Sequence, residues 1–153
     1  MVNYSEYYLY VMKRKAVNER KVLDQFISAY PEFPKGRIFK TESPDFILSV
    51  NPRYQIGIEL TYLHDPSGNN HSVFTSTTVT KEILDAVIHK KEEKIPLYEK
   101  KQPNEIWLII TITDTEQLPG FNLFNKLESW TFENGFRRVF LFNLVHKKIY
   151  QLV

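Results

Sequence analysis

The sequence predicts an α/β protein in which a mixed β-sheet carries helices on both of its faces. Three observations support this class. Stretches with helical periodicity alternate along the chain with short, strand-like apolar runs. Two of these runs are joined by a tight turn, and a third, "EIWLIITI", is apolar at nearly every position, as is typical of a strand covered on both faces. An early meander followed by strand–helix–strand connections therefore favours a mixed sheet.

The first long helix is predicted over residues 16–30. Its apolar side chains recur at spacings of three and four, which is the period of one helix face. Pro31 is expected to end it, because proline cannot continue the helical hydrogen-bond pattern. Whether residues 3–14 form a separate helix or the front of this one stays open at this point. The residues of the predicted buried face are Val22, Leu23, Phe26, Ile27 and Tyr30.

Three strands are predicted to follow this helix: "GRIFK", "DFILSV" and "YQIGIELTYL". The second and third are separated by "NPR", in which Asn51 and Pro52 favour a tight turn, so we predict a hairpin. The third strand is the more apolar of the pair. It is therefore expected to lie in the interior of the sheet.

The second half of the chain predicts two more helices and three more strands. Thr80 is expected to cap a helix that Pro96 ends or kinks. A further helix is predicted over residues 121–132, with Gly135 as its end. "EIWLIITI" precedes this helix, and "RRVFLFNL" and "KKIYQLV" close the chain as strands with a turn at "VH". The predicted buried positions of the two helices are Ile83, Ala86 and Val87 in the first, and Phe121, Phe124, Leu127 and Trp130 in the second.

The overall composition bounds the class of protein. The chain has 153 residues, so we predict one domain over residues 1–153, with polar loops over 64–78 and 114–120. It contains no cysteine, which excludes disulfides and favours a cytoplasmic location. We expect no secretory signal and no membrane span, since no run approaches about 18 apolar residues. The net charge of +2 is too small to indicate nucleic-acid binding by itself.

Two acidic residues interrupt the predicted hairpin. Asp45 stands seven residues before Pro52 and Glu59 seven residues after it. In an antiparallel pair with a short turn, these positions face each other across the two strands. Two adjacent carboxylates repel unless a cation or a shared proton compensates them, and Mg²⁺ prefers oxygen ligands. The alternative is that each acid lies at a solvated strand end and binds nothing.

The motif Pro44-Asp45, followed by Glu59-Leu60-Thr61 within this order of elements, resembles that of the PD-(D/E)XK nuclease superfamily. The family has a restriction-endonuclease-like core of one helix, a three-stranded meander, a second helix and a further strand. The short motif alone arises easily by chance. Its agreement with the order of elements and with the hairpin spacing is what supports the resemblance.

The resemblance implies a fold and a function for residues 16–112, which would cover the family's core. Asp45, Glu59 and the main-chain carbonyl of Leu60 would bind Mg²⁺, or Mn²⁺ in its place. The metal would activate a water molecule that cuts a phosphodiester bond. The implied partner is nucleic acid, DNA in preference to RNA, and a homodimer is a candidate assembly because such nucleases often act in pairs.

The sequence departs from the family at the motif lysine, where Thr61 stands instead. Some members of the superfamily supply this lysine from the following helix. Lys91 continues the apolar stripe of that helix four residues after Val87, and Lys94 lies on the same side, so both are candidates. The alternative is that these lysines complement the carboxyl end of the helix and extend into solvent.

Glu19 is a further candidate, in the first helix. It lies four residues before Leu23 and seven before Phe26, so it shares their predicted inward face, whereas Asp24 points away. In several families of the superfamily a glutamate of the first helix joins the metal site, directly or through water, and Glu19 fits that role. The alternative is an ordinary glutamate near the start of a helix.

The sequence leaves two classes of function open. The first is a Mg²⁺-dependent nuclease in which Asp45 and Glu59 hold the metal and Lys91 or Lys94 replaces the missing strand lysine, with Thr61 bonded to a water or phosphate oxygen. The second is a catalytically inactive relative that binds a protein or a nucleic acid, as an accessory or immunity-type module. The absent lysine and the near-neutral charge favour the second class.

Overall fold

The computed structural model describes residues 4–63, 79–112 and 123–153. Within these ranges the protein has a mixed α/β fold built on an open six-stranded sheet whose spatial order is also the chain order. The strands are β1 (Arg37–Lys40), β2 (Phe46–Asn51), β3 (Tyr54–Tyr62), β4 (Glu105–Ile112), β5 (Arg138–Asn143) and β6 (Lys148–Gln151). The helices are α1 (Tyr4–Ala29), α2 (Lys81–Glu92), α3 (Ile95–Tyr98) and α4 (Leu123–Glu128), with one turn of 3₁₀-helix at Glu99–Lys101.

The sheet combines antiparallel and parallel pairing. Strands β1, β2 and β3 form an antiparallel meander, β3, β4 and β5 run parallel, and β6 returns antiparallel to β5. The predicted hairpin is confirmed, as is the interior position of β3, which pairs with β2 on one side and β4 on the other. Seven of the eight residues of β4 are buried, as its apolar sequence predicts.

Helices cover both faces of the sheet, as predicted. On one face, α1 packs through Leu23 and Phe26 onto side chains that include Trp107 of β4. On the other face, α2 packs onto side chains that include Leu108, the next residue of the same strand. Because successive strand residues point to opposite faces, β4 contributes to both halves of the core. The buried helical residues of the second face are Leu84, Ile88, Tyr98 and Leu127.

The first helix is a single element of 26 residues, which settles the question that the sequence left open. It ends at Ala29, just before Pro31. The helix is longer than its buried contacts require, since Leu9, Tyr10 and Val17 in its first two thirds are more than half exposed.

The caps and ends of the second helix follow the prediction in part. Thr80 accepts a hydrogen bond of 3.2 Å from the Ile83 backbone N–H, which confirms the predicted cap. Ala86 is exposed and not buried as predicted, because the face that meets the sheet is centred on Leu84 and Ile88. The helix ends at Glu92, and Pro96 lies in the first turn of α3, where its missing N–H costs nothing.

The fourth helix is shorter than predicted and its predicted end is wrong. It stops at Glu128, seven residues before Gly135. Trp130, which follows Leu127 at the helical spacing of three, and Phe132, the predicted last residue, still pack against the core, but they do so from irregular chain. The N–H of Gly135 instead donates a 3.0 Å hydrogen bond to the Glu92 side chain.

Several predictions lie outside the described residues. These are the two polar loops, over 64–78 and 114–120, and the position of Phe121; the side chain of Phe124 is likewise not described. Among the helices of the described ranges, none is both long enough and apolar enough to cross a membrane.

Candidate functional site

The register of the hairpin brings Asp45 and Glu59 together. Phe46 lies opposite Ile58, so Asp45, the residue before Phe46, lies opposite Glu59. The Asp45 backbone N–H donates to Glu59 Oε2 at 3.2 Å, and the Leu60 backbone N–H donates to Asp45 Oδ2 at 2.8 Å. Both acids are buried, with exposed fractions of 9% and 5%. The facing pair expected from the spacing around the turn is therefore present.

The strand alternation aims Glu59 toward α2. Ile56 and Ile58 of β3 belong to the core under α1, so Gly57 and Glu59 lie on the opposite face. A side chain at Gly57 would crowd the ring of Pro44, because a Cβ there would lie 3.0 Å from Pro44 Cγ. Glycine at this position lets the segment that carries Asp45 lie close against the sheet.

Lys91 supplies the cation that compensates this pair. Its Nζ lies 2.8 Å from Glu59 Oε1, and its side chain is only 18% exposed. The helical spacing explains the contact, since Lys91 follows Ile88 by three residues and Val87 by four, on the side of α2 that meets the sheet. The structure thus places the first lysine candidate against the acids, and its catalytic role stays a prediction.

The other two candidates from the motif lie nearby without touching the carboxylates. Lys94 is exposed at the mouth of the cavity described below. Thr61 is half-buried and lines the same cavity, while its carbonyl accepts a 3.1 Å hydrogen bond from Thr111 Oγ1. Both residues therefore lie in the wall of the cavity that also contains the acidic pair.

Glu19 reaches the site through a second lysine. Lys40 Nζ lies 3.0 Å from Glu19 Oε2 and 3.9 Å from Asp45 Oδ1, so it bridges the two acids. The Glu19 side chain is 14% exposed and also lies 3.7 Å from Lys15. The predicted inward direction of Glu19 is present, and Asp24 is exposed, as expected from its position on the opposite side of α1.

Burial and crowding change the protonation of Asp45. Its pKa is raised from 3.8 to about 7, chiefly because burial disfavours the charged form and then because the Glu59 carboxylate is close. The Leu60 N–H and Lys40 act in the opposite direction but do not cancel the rise. The site therefore compensates two adjacent acids in two ways, with a lysine on Glu59 and with a proton that Asp45 retains until the pH approaches 7.

Two cavities meet at these acids. The larger, of about 650 Å³, is bounded by both long helices and contains Glu59 and Lys91 in its wall. The smaller, of about 340 Å³, lies along α1. Asp45 and Glu19 line both cavities, so the acids can be approached from two directions. Three further lysines line the larger cavity, namely Lys15, Lys90 and Lys94.

The acids fit a hard divalent cation by donor type, but the present arrangement is not a formed metal site. Within residues 4–63, 79–112 and 123–153, no three acidic or histidine side chains are grouped so that they could hold a metal ion. Lys91 and the Asp45 N–H occupy the two oxygens of Glu59. A cation bound by both carboxylates would lie beside the Lys91 ammonium, and the repulsion between the two positive charges favours displacement of Lys91 from Glu59.

Two residues of the site, Lys40 and Tyr98, were not identified from the sequence. Lys40 ends β1, and its pairing with Phe46 was available from the predicted meander. Tyr98 lies in a single-turn helix with a proline in its first turn, and so short a helix has no periodicity that shows where its side chains point. Tyr98 is fully buried, and burial followed by the nearby Glu59 carboxylate raises the pKa of its hydroxyl.

Comparisons with protein-family models, with curated proteins and with solved structures give no match for this chain. The resemblance to the PD-(D/E)XK superfamily therefore depends on the motif residues and stays a prediction.

Proposed function

We propose that this protein is a Mg²⁺- or Mn²⁺-dependent nuclease that hydrolyses phosphodiester bonds of nucleic acid within a restriction-endonuclease-like fold. The observation that carries the proposal is the buried Asp45–Glu59 pair in contact with Lys91 at the wall of a large cavity. Burying two adjacent acids destabilises the folded state, and such a cost is typical of sites retained for chemistry.

The acids would hold the cation. Asp45 and Glu59, with the carbonyl of Leu60, are the proposed ligands, and Glu19 would assist from α1. A bound divalent cation supplies Lewis acidity and lowers the pKa of a bound water. The Asp45 and Glu59 carboxylates now accept bonds from backbone N–H groups, and Glu59 also from Lys91, so the cation would replace an existing positive charge.

The remaining residues of the cavity would act on the phosphate. Lys91, once released from Glu59, carries an ammonium group that can stabilise negative charge developing on the phosphoryl oxygens. Lys15, Lys90 and Lys94 line the cavity and would attract the backbone of the nucleic acid. The Thr61 hydroxyl would bond a water or a phosphate oxygen.

A second function is favoured by a specific observation. Lys91 already neutralises Glu59, and the strand position of the family lysine is Thr61. A protein in which this ion pair is permanent would be a catalytically inactive relative that binds a protein or a nucleic acid through the same scaffold. The two functions differ in whether Lys91 can be displaced.

The direct test is a cleavage assay with single-stranded and duplex DNA and with RNA, each as linear and circular molecules, in Mg²⁺ or Mn²⁺. We expect cleavage that is abolished by EDTA and by Asp45→Asn or Glu59→Gln. Asp24→Asn makes the same acid-to-amide change on the exposed side of α1 and should retain activity. Circular substrates are included because the acids open onto two cavities, which suits a strand that continues in both directions.

Calorimetry decides between the two functions independently of the choice of substrate. A nuclease is expected to bind Mn²⁺ with an affinity that Asp45→Asn weakens and Asp24→Asn does not. Absence of both cleavage and cation binding would leave the inactive binding module as the better account. The preference for DNA over RNA, a homodimer and a cytoplasmic location stay predictions that accompany the nuclease proposal.

A further inference from the structure

A buried tyrosine hydroxyl lies behind the acidic pair. Tyr98 ends the single-turn helix α3, and its side chain is fully buried. Its hydroxyl forms no hydrogen bond of ordinary geometry with any residue that the structure describes. It nevertheless lies beside Glu59, which acts on the hydroxyl through its charge and as an acceptor at longer range.

This hydroxyl is not explained by packing. Tyr98 is surrounded by the apolar core under α2, where a phenylalanine ring would fill the same space without burying a polar group. A buried donor without an acceptor is unfavourable, and buried polar groups in folded proteins rarely lack a partner. The acceptor near the hydroxyl is the carboxylate of Glu59, and each oxygen of that carboxylate already accepts one shorter hydrogen bond from another donor.

The donors that now contact Glu59 indicate when the Tyr98 hydroxyl could donate a hydrogen bond to it. Oε2 accepts the Asp45 backbone N–H, and Oε1 accepts Lys91 Nζ at 2.8 Å. The backbone donor is held in place by the hairpin, whereas the lysine is a long side chain that can move. When Lys91 leaves, Oε1 loses its donor, and Tyr98 is the buried hydroxyl beside it.

We propose that Tyr98 is a positioning residue of the acidic site, whose hydroxyl donates a hydrogen bond to Glu59 when Lys91 moves away from it. The inference deepens the proposed function, because recruitment of Lys91 by a cation or a phosphate is what would release Glu59. A donor on a rigid, buried ring restrains the direction of the carboxylate, as groups behind metal ligands commonly do. Tyr98 itself does not line either cavity and does not touch the substrate.

The test removes Lys91 without using any metal or substrate. Tyr98→Phe is introduced into the natural chain and into Lys91→Met, and urea unfolding is measured in EDTA. In the natural chain the hydroxyl has only its long contact with Glu59, so its loss should leave the unfolding midpoint unchanged or slightly raised. In Lys91→Met the hydroxyl bonds Glu59, so its loss should lower the midpoint by about 0.5 M urea.

The same shift in both backgrounds would overturn the proposal, because a purely structural tyrosine responds alike whether or not Lys91 is present. Lys91→Gln is the milder background if Lys91→Met does not fold. Mn²⁺ calorimetry gives a second reading, in which Tyr98→Phe is expected to weaken binding about tenfold relative to the natural chain. If the natural chain neither binds Mn²⁺ nor cleaves nucleic acid, the proposed function fails, while the unfolding comparison still decides the role of Tyr98.

Discussion

Two carboxylate sites on neighbouring strands show how differently one sheet can accommodate an acidic side chain. Glu105 begins β4 and accepts two hydrogen bonds of 2.6 Å, from the Tyr54 hydroxyl to one oxygen and from the Trp107 indole N–H to the other. Glu59, near the far end of β3, has an acid directly opposite and depends on a lysine side chain from another element. One carboxylate is satisfied by fixed donors of its own sheet, and the other by a group that can leave.

The difference separates a structural acid from a candidate functional one. The Glu105 side chain is 16% exposed, and its donors belong to rings that the sheet itself positions. At the Asp45–Glu59 pair, burial and repulsion raise the pKa of Asp45 to about 7. A negative charge on Asp45 is therefore unfavourable unless a cation or hydrogen-bond donors compensate it. An unfavourable arrangement of this kind is expected where a ligand supplies the missing compensation. Three substitutions test whether the two sites differ as described.

Removal of the lysine should cause the largest loss of stability. Lys91→Met leaves Glu59 buried without its cation, and we expect the free energy of unfolding at pH 8 to fall by about 2–4 kcal/mol. Urea denaturation in EDTA measures the loss, and lowering the pH should recover part of it as Asp45 takes up a proton. Lys90→Met, at the exposed neighbouring position, is the matched control and should change stability by less than about 0.5 kcal/mol. Equal losses in the two variants would show that Lys91 does not compensate a buried charge.

Neutralising Asp45 should stabilise the protein. Because the folded pKa of about 7 lies above the unfolded value of 3.8, the folded state holds a proton that the unfolded state has lost between these pH values. Stability from this group therefore falls as the pH rises from about 4 to 7. Asp45→Asn removes the cost of ionisation and keeps an oxygen that can accept the Leu60 N–H. At pH 8 without divalent cations we expect a gain of about 2–4 kcal/mol.

The stability gained by Asp45→Asn should become smaller as the pH falls. Denaturation of Asp45→Asn and of the natural chain at pH 8, 6 and 4 should show the difference shrinking as the pH falls. A gain that is constant over this range, or a loss at pH 8, would contradict the raised pKa.

The same chemical change at the other site should have the opposite sign and a smaller size. Glu105→Gln replaces a charged acceptor of two short hydrogen bonds by an amide that can accept at only one of its two terminal atoms. We expect a loss of about 1–2 kcal/mol at pH 8, measured by the same denaturation. A stabilising Glu105→Gln would remove the distinction between the two sites.

The facing acids were predicted from equal distances on either side of Pro52, and the period of the helix predicted that Lys91 lies on the sheet-facing side of α2. The observed pairing needs one further feature that the sequence did not predict. The turn pairs Asn51 with Tyr54, and a register shift next to it restores the pairing that places Asp45 opposite Glu59. The interior position of β4 was equally accessible from its unbroken apolar sequence.

The features that were missed or wrong depend on how separate elements pack. Tyr98 lies near Glu59 because α3 packs its side chain into the core shared with α2. The periodicity of a single helix does not predict such packing between helices. Ala86 was assigned to the buried face because a small apolar residue is compatible with either side of a helix. Only the packing of the helix on the sheet shows that the buried face is centred on Leu84 and Ile88. The end of α4 was misplaced because Trp130 and Phe132 pack without being helical.

The register of the hairpin makes the two acids depend on the length of the chain as well as on its chemistry. The Asn51–Tyr54 pair at the turn and the register shift next to it together place Asp45 opposite Glu59. One residue inserted between Asn51 and Tyr54, or deleted there, would shift the pairing of β2 and β3 unless the turn absorbed the change. Glu59 would then lie beside the wrong neighbour, with every side chain of the site still encoded. Insertions and deletions in this exposed turn should thus be as damaging to this centre as losing one of its carboxylates.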